Sequence, residues 1–308
     1  SERSAGNDPG KKMINIKKGQ NLTVTTESLT RAGLIKSPFR FRILARFKRA
    51  DKRIQAGEYL LSADMTPNKI LAVMVEGKVK LYKFTIPEGY NLKQIASIVA
   101  AAGFVKKEGF LQAVTDAAFV NRMGIEADTF EGYLFPDTYF LSRQTDCKTL
   151  IKKMISTFNK TFNDTWKARA KKICLSVHEV VILASIIEKE TGNGKERPII
   201  SSVFHNRLKR NMRLESDPTV IYGVSDYHGR IRYKHLRRVT PYNTYKINGL
   251  PAGPIANPGG QSLKAALYPA KTKYLFFVSK NDTTHKFSTN LKDHNRAVKK
   301  YQLNHQTF

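Results

Sequence analysis

The stretch that decides the second half of the fold runs from Ser176 to Gly192 and reads SVHEVVILASIIEKETG. Ser176 and Glu179 have the spacing of a capping box, which predicts a helix start. Gly192 predicts the end of that helix in the left-handed conformation. At about 100° per residue, one face of the helix is apolar; it carries Val180, Leu183, Ala184 and Ile187. The stretch therefore predicts a buried helix that ends in two carboxylates, Glu188 and Glu190.

Both carboxylates flank the apolar face, and neither has a basic residue one turn earlier, where Ala184 and Ile186 stand. An acid that is desolvated in this way has a raised pKa and can act as a general acid near neutral pH. The helical pattern leaves Glu188 and Glu190 both open as that acid. The plainer alternative is a frayed helix end whose acids pair with surface lysines.

Downstream of the helix, the chain is dense in Asp, Pro, Tyr, Asn and Gly, over 214–219, 242–245 and 249–255. Rigid turns, aromatic faces and amide groups beside a half-buried acid suggest a saccharide-cleaving groove. The tyrosines can stack on sugar rings, with ordinary core packing as the alternative, and a Pro-rich turn can form a fixed wall. The predicted substrate-binding residues are Glu190, Asp217, Tyr222, Tyr242, Asn243, Thr244, Tyr245 and Pro254.

The composition gives 308 residues, 41% hydrophobic content and a formal net charge of +28. This length favours about two domains. The charge predicts attraction to a polyanion, which could be nucleic acid, an anionic membrane surface or an acidic envelope polymer. The basic residues are spread along the whole chain and no DNA- or RNA-binding motif is present, so nucleic acid is not expected as a partner.

Neither a metal nor any other cofactor is predicted. Five histidines lack the spacing of a metal site and are expected to be structural or surface residues: His205, His228, His235, His285 and His294. Cys147 and Cys174 fit neither a zinc knuckle nor a redox pair, and they are either a disulfide or two unrelated thiols. No apolar run reaches the roughly 18 residues of a membrane span.

The first half of the chain contains a repeat. Residues 1–12 are expected to be a disordered lead-in, after which 14–35 align without gaps on 84–105, at an offset of 70 residues. Each copy predicts a strand, a Gly turn and an amphipathic helix, although such units also resemble one another by chance. Between the copies we expect a strand over 54–61 and a helix over 68–76, with Thr66 as its N-cap and Pro67 at its first position.

From about residue 107 to 175 the pattern becomes helical, with a break over the aromatic, Pro-containing segment 130–139. A domain boundary is therefore predicted near residue 107. After the helix predicted between Ser176 and Gly192, a second helix is expected to include Ile200 and Leu208.

Several of these blocks resemble the MltG (YceG-like) family of endolytic murein transglycosylases. They are ASIIEKET at 184–191, MRLESDPTVIYG at 212–223, YNTY at 242–245 with its continuation to Gly259, EGYLFPDTY at 131–139 and IPEG at 86–89. The resemblance covers 14–302. It implies an α+β fold, with LysM-like βα repeats over 13–106 and a mixed, largely helical catalytic domain over 107–308. Carried over by position, Glu188 is the catalytic residue. Glu215 departs from the family, where Gln is expected as often.

The resemblance also implies the function: non-hydrolytic cleavage of the MurNAc–GlcNAc β-1,4 bond in peptidoglycan, with formation of a 1,6-anhydro ring, during cell wall assembly. Glycan strands are the expected partner, and peptidoglycan synthases are candidate partners. The expected location is the periplasmic face of the bacterial inner membrane, held by a membrane anchor upstream of residue 1. The rival hypothesis is a non-catalytic envelope protein that binds peptidoglycan or another polyanion through the repeats and the positive charge.

Overall fold

The computed structural model describes residues 10–224, 227, 229 and 231–303. The chain forms two compact units. Unit 1 contains the chain up to Phe84 together with Thr138–Asp146, and unit 2 contains Thr85–Asp137 together with the chain from Cys147 onward. Most of the predicted lead-in and His228 lie outside the described residues. The end of the lead-in was wrong, because Lys11 and Lys12 begin the first strand.

The fold is α+β, as predicted. The elements of unit 1 and its border are β1 (Lys11–Ile16), α1 (Leu22–Arg31), α2 (Pro38–Phe47), β2 (Gly57–Ser62), α3 (Pro67–Val75), β3 (Tyr82–Thr85) and β4 (Thr138–Leu141). β1 pairs with β2 in an antiparallel register, and β3 pairs with β4. Alternate residues of β1 and β2 point into a core that the helices cover. Its members include Ile16, Leu29, Phe41, Tyr59, Leu61, Ile70 and Met74.

Both copies of the repeat form the predicted strand, turn and helix. Gly19 and Gly89 hold the turns at φ values of 77° and 75°, which glycine adopts without steric cost. Asn21 and Asn91 then cap the helices by accepting hydrogen bonds from backbone N–H groups three residues later. The Thr66 cap and the Pro67 helix start are also confirmed.

The division of the chain differs from the boundary predicted near residue 107. The helix of the second repeat belongs to unit 2, where Leu92 N–H donates to the buried Glu131 carboxylate at 3.2 Å. The segment 138–146 returns to unit 1, where the Gln144 side chain donates to the Ile16 carbonyl at 2.7 Å. Both contacts join residues distant in sequence, so local pattern could not place the boundary.

Unit 2 is mostly helical. Its elements are α4 (Leu92–Ala101), α5 (Lys107–Val114), α6 (Ala117–Arg122), α7 (Cys147–Thr161), α8 (Asp164–Lys172), α9 (Val177–Glu190), α10 (Arg197–Lys209), α11 (Asp217–Tyr222), α12 (Tyr233–Arg237), α13 (Gly260–Leu267), β5 (Phe276–Ser279), β6 (His285–Ser288) and α14 (Leu291–Val298), with a π-helical turn at Lys299–Leu303. β5 and β6 form an antiparallel hairpin. Cys147 and Cys174 are free thiols.

The helix α9 lies at the centre of unit 2, and α10 and α13 pack against it. The Ser176–Glu179 capping box is present, with bonds of 2.7 and 3.1 Å. The predicted left-handed end at Gly192 is wrong. The chain leaves the helix through Thr191 in an extended conformation, and the Thr191 hydroxyl accepts from Asn193 N–H at 3.0 Å. This side-chain turn replaces the glycine cap.

The segment that breaks the helical pattern passes close to α9. Gly132 has φ +88°, and a Cβ placed there would lie 2.6 Å from Val181 and 2.7 Å from Pro254. Only glycine fits both the backbone conformation and the space. Gly132 thereby places the preceding residue, Glu131, beside the end of α11.

Candidate active site

Glu188, the predicted catalytic acid, is one half of a buried ion pair. Its two oxygens accept hydrogen bonds from Arg197 Nη2 at 2.8 Å and from Gly259 N–H at 2.9 Å. The Glu188 and Arg197 side chains are 5% and 7% exposed. No basic residue stands one turn before Glu188 in α9, and its basic partner comes from another helix. Arg197 stands at the start of α10, and the packing of α10 against α9 creates a contact that spacing within α9 cannot reveal.

Glu190 has a different environment. One carboxylate oxygen accepts a hydrogen bond of 2.5 Å from the Ser216 hydroxyl. Although part of Glu190 remains accessible to solvent, its carboxyl group is desolvated, and this burial raises its pKa to about 7. The hydrogen bond from Ser216 and the charge of Arg207 lower the pKa, and the charge of Asp217 raises it. Of the two acids at this helix end, Glu190 is the one whose pKa burial raises.

Glu190 opens onto a cavity of about 720 Å³ at the end of α9. The cavity is lined by Glu190, Thr191, Gly192, Asn193, Ser279, Thr283 and His285. Thr283, in the turn between β5 and β6, has φ +67°. A β-branched residue rarely adopts that conformation, and such strain is common at functional sites.

His285 on this cavity is fixed by Glu196. The two oxygens of Glu196 engage His285 N–H at 3.0 Å and the ring Nδ1 at 2.7 Å. With Nδ1 occupied, Nε2 is the ring atom available to a bound ligand. His285 was expected to be a structural or surface residue. Its partner lies 89 residues away in the chain, so no local signal pointed to the pair.

Asp217 and Tyr245 lie together near Glu190. The Tyr245 hydroxyl donates to Asp217 Oδ1 at 2.7 Å. The pKa of Tyr245 is raised by burial, then by the charge of Asp217 and, to a smaller extent, by that of Glu190. Asp217, a predicted substrate-binding residue, is the first residue of the helix α11. Glu215 lies outside the helices at φ +52° and pairs with Arg207 at 2.9 Å.

Asn243 and Thr244 were predicted to touch the sugar, and this prediction is wrong. Their exposures are 1% and 0%, so a ligand cannot reach them. The Asn243 amide donates to the Arg238 carbonyl at 2.6 Å, and the Thr244 hydroxyl accepts from Ser216 N–H at 2.9 Å. These residues hold the loop that presents Ser216 to Glu190.

The remaining predicted residues, Tyr222, Tyr242 and Pro254, surround another acid. Glu131 is buried, accepts a hydrogen bond from the Tyr222 hydroxyl at 3.0 Å and has a pKa raised to about 7 by burial. The rings of Tyr222 and Tyr242 are 4.8 Å apart, and both line a cleft of about 590 Å³ with Glu131. Pro254 lies beside Glu131 and Tyr242 in a neighbouring cavity. Glu131 was not among the predicted site residues, although it is the first residue of the EGYLFPDTY block at 131–139.

Within the described ranges, no cluster of three or more His, Cys, Asp or Glu side chains is arranged to hold a metal ion. The same part of the chain contains no helix with the length and hydropathy required to cross a bilayer.

The chain is similar in sequence and in fold to known proteins of one family. The chain is 38% identical over 304 residues to an endolytic murein transglycosylase of Bacillus subtilis, with 94% of this chain and 84% of that protein covered. It is 30% identical to an endolytic murein transglycosylase of Streptococcus pneumoniae, of which it spans 57%. The fold is similar to the crystal structure of a yceG-like protein from Listeria monocytogenes, with TM-score 0.65, 34% identity and coverage of 94% and 99% of the two chains.

The model of the YceG-like family matches residues 14–300. The chain belongs to the YceG-like family.

Proposed function

We propose that this chain is an endolytic lytic transglycosylase that cleaves the MurNAc–GlcNAc β-1,4 bond within peptidoglycan strands. The observation that carries the proposal is the acid at the end of α9. Burial raises the pKa of Glu190 to about 7, and Glu190 opens onto a cavity of about 720 Å³. The names of the Bacillus and Streptococcus relatives, which are endolytic murein transglycosylases, support the same activity.

In this proposal Glu190, and not Glu188, is the general acid. Its proton passes to the glycosidic oxygen, and the bond from the muramyl anomeric carbon to that oxygen breaks. The Glu190 carboxylate then takes the proton of the muramyl 6-hydroxyl, whose oxygen bonds to the anomeric carbon and closes the 1,6-anhydro ring. The acid is restored and no water is consumed. Ser216 orients the carboxylate through its hydrogen bond of 2.5 Å.

Glu188 is a positioning residue in the same scheme. Its carboxylate is occupied by Arg197 and Gly259, which ties the end of α9 to the starts of α10 and α13. An acid with both oxygens engaged and a side chain 5% exposed is poorly placed to protonate a ligand. The family resemblance by position implies Glu188, and the helical pattern leaves both acids open. The surroundings of the two carboxyl groups favour Glu190.

A mechanism with one catalytic acid agrees with the contacts of the two nearby carboxylates, Glu215 and Asp217. Hydrolytic glycosidases place a second carboxyl group about 5–9.5 Å from the first to activate water or to form a covalent intermediate. Glu215 is paired with Arg207 at 2.9 Å, and Asp217 accepts the Tyr245 hydroxyl at 2.7 Å. Both acids already have partners, and the substrate's own 6-hydroxyl then serves as nucleophile. Asp217, Tyr245 and His285 are the proposed saccharide contacts beside Glu190, and Tyr222 and Tyr242 form a further contact surface.

Mass spectrometry of products from purified glycan strands tests this function. We expect ends in 1,6-anhydro-muramic acid, one water lighter than reducing ends, and no oxygen taken from isotopically labelled water. Reducing muramic ends that carry the label would make the enzyme a muramidase with Asp217 or Glu215 as its second carboxylate. Binding without any new ends would support the rival non-catalytic envelope protein.

The family resemblance extends the proposal to the setting of the enzyme. The order β1–α1–α2–β2 with paired outer strands supports a LysM-like unit 1 that positions glycan without chemistry. We further propose action at the periplasmic face of the inner membrane, an anchor preceding residue 1, and peptidoglycan synthases as partners in cell wall assembly. Sedimentation of isolated sacculi with the chain, and co-purification of synthases with the full-length protein from membranes, test these points.

A further inference from the structure

The helix α2 of unit 1 has an apolar row that faces away from its core. Phe41 and Ala45 on one side of α2 are buried. On the other side Phe39, Ile43 and Phe47 are 64%, 52% and 87% exposed. Scattered exposed apolar residues are normal in proteins. Three large ones at successive turns of one helix form a patch, and such patches mark interaction surfaces.

The three residues form one continuous row because they are spaced four residues apart. At about 100° per residue they fall within an arc of roughly 80° on the helix surface. Nothing in the core of unit 1 requires them, since Phe41 and Ala45 already anchor α2 on the opposite side. The row therefore has no role in packing this unit.

Cations flank the apolar row. Lys36, Arg40, Arg42, Arg46, Lys48 and Arg49 all lie between residues 36 and 49, and this stretch contains no Asp or Glu. Arg40 falls on one side of the row and Arg46 on the other, and both side chains belong to exposed residues. An exposed apolar stripe bordered on both sides by arginine is the pattern of a helix that lies in the interface of a membrane.

We propose that α2 docks unit 1 onto an anionic lipid bilayer. Phe39, Ile43 and Phe47 insert at the boundary between headgroups and acyl chains, and Arg40 and Arg46 bind lipid phosphates on either side. The charge complementarity selects lipid over neutral partners. A glycan-binding surface needs polar groups between its aromatic rings to pair with hydroxyls, and the row presents only apolar side chains along its length. The proposal does not depend on the chemistry at Glu190.

Sedimentation of the full chain with large unilamellar vesicles tests the proposal. We expect binding to vesicles that contain phosphatidylglycerol, little binding to pure phosphatidylcholine, and weaker binding as salt is raised. Each arginine near the surface should contribute about five-fold to the partition coefficient. The variant Arg40→Gln/Arg46→Gln should therefore bind anionic vesicles roughly 20-fold less well. The charge-matched control is Lys171→Gln/Lys172→Gln, at the exposed end of α8, which should bind as the parent does.

The apolar row has its own variants. Phe39→Ser/Phe47→Ser should lower vesicle binding at least ten-fold at unchanged circular dichroism and melting temperature, since neither side chain is in the core. Val239→Ser, at a residue that is 80% exposed in unit 2, is the control for loss of an apolar surface residue. Equal binding of the double serine variant and the parent would overturn the proposal.

Two further results would overturn it in favour of another occupant. If the chain dimerises and the serine variant is monomeric, the row is an interface between two copies. If the serine variant loses binding to lipid-free sacculi, the row belongs to a glycan surface. Equal binding to neutral and anionic vesicles would also overturn the proposal, because the arginines would then not select anionic lipid.

Discussion

The substitution Glu190→Gln separates the two acids at the end of α9 by both activity and stability. Glutamine keeps the size of the side chain and can still accept the Ser216 hydrogen bond, but it cannot donate a proton to a leaving group. General acid–base help is worth roughly 100- to 10,000-fold. We therefore expect cleavage of glycan strands to fall by that factor, with the fold intact.

The stability effect follows from the raised pKa of Glu190. The folded state holds the carboxyl pKa at about 7 against an ordinary value of 4.5. The folded protein therefore favours the protonated acid. As pH rises from 4.5 to about 7, ionisation of Glu190 makes the folded state progressively less stable relative to the unfolded state. At about 1.4 kcal/mol per pH unit, the cost at alkaline pH is at most roughly 3 kcal/mol. Glutamine carries no such cost.

Urea denaturation of the parent and Glu190→Gln at several pH values measures this difference. We expect the variant to be more stable by about 1–3 kcal/mol at about pH 8, and the gap to shrink as pH falls towards 4.5. Glu131, whose pKa is also about 7, titrates in both proteins, so it cancels in the comparison.

Glu188→Gln is the matched control because it changes the neighbouring acid in the same way. It removes one partner of a buried ion pair and should cost about 3–5 kcal/mol at all pH values where the pair forms. Its folded fraction should retain more activity than Glu190→Gln. Near-normal turnover of Glu190→Gln, or a stability gap that is independent of pH, would refute the assignment and return the acid to Glu188.

Three further predictions concern residues around the two clefts. Gly132→Ala should lower the free energy of unfolding by about 2–4 kcal/mol, since the new Cβ meets a left-handed backbone and tight contacts, whereas Gly124→Ala, with open space around it, should cost only about 1 kcal/mol. Tyr222→Phe removes a hydrogen bond that lowers the pKa of Glu131, so that pKa should rise above about 7 in a carboxyl carbon NMR titration. Thr283→Gly should stabilise the protein by about 1 kcal/mol in urea denaturation by relieving its positive φ.

Each of these has a clear contrary result. Equal losses for the two alanine variants would mean that the contacts of Gly132 do not constrain the chain. An unchanged or lower Glu131 titration midpoint in Tyr222→Phe would remove the hydroxyl as its donor. A loss of stability in Thr283→Gly would show that the threonine side chain contributes more than its backbone strain costs.

The local sequence predicted the features of secondary structure that depend only on residues nearby in the chain. Caps, periodicity and glycine turns determine where a helix or strand begins, and so the Ser176–Glu179 and Thr66–Pro67 helix starts and both repeats were confirmed. The family, too, could be recognised from the order of its blocks. The end of α9 could not be predicted from Gly192, because a hydroxyl two residues from an N–H group competed with the glycine cap.

The roles within the site depend on contacts that the sequence does not record. Glu188 and Glu190 are two residues apart on one helix and nearly equivalent in local pattern. Tertiary packing gives Glu188 the guanidinium of Arg197 and gives Glu190 a hydroxyl, a cavity and little solvent. A carboxyl pKa depends on desolvation and on charges a few ångströms away, so only the folded chain distinguishes the surroundings of the two acids. In the same way, sequence alone supplied the candidate residues, and burial decided that Asn243 and Thr244 support the site without facing the substrate.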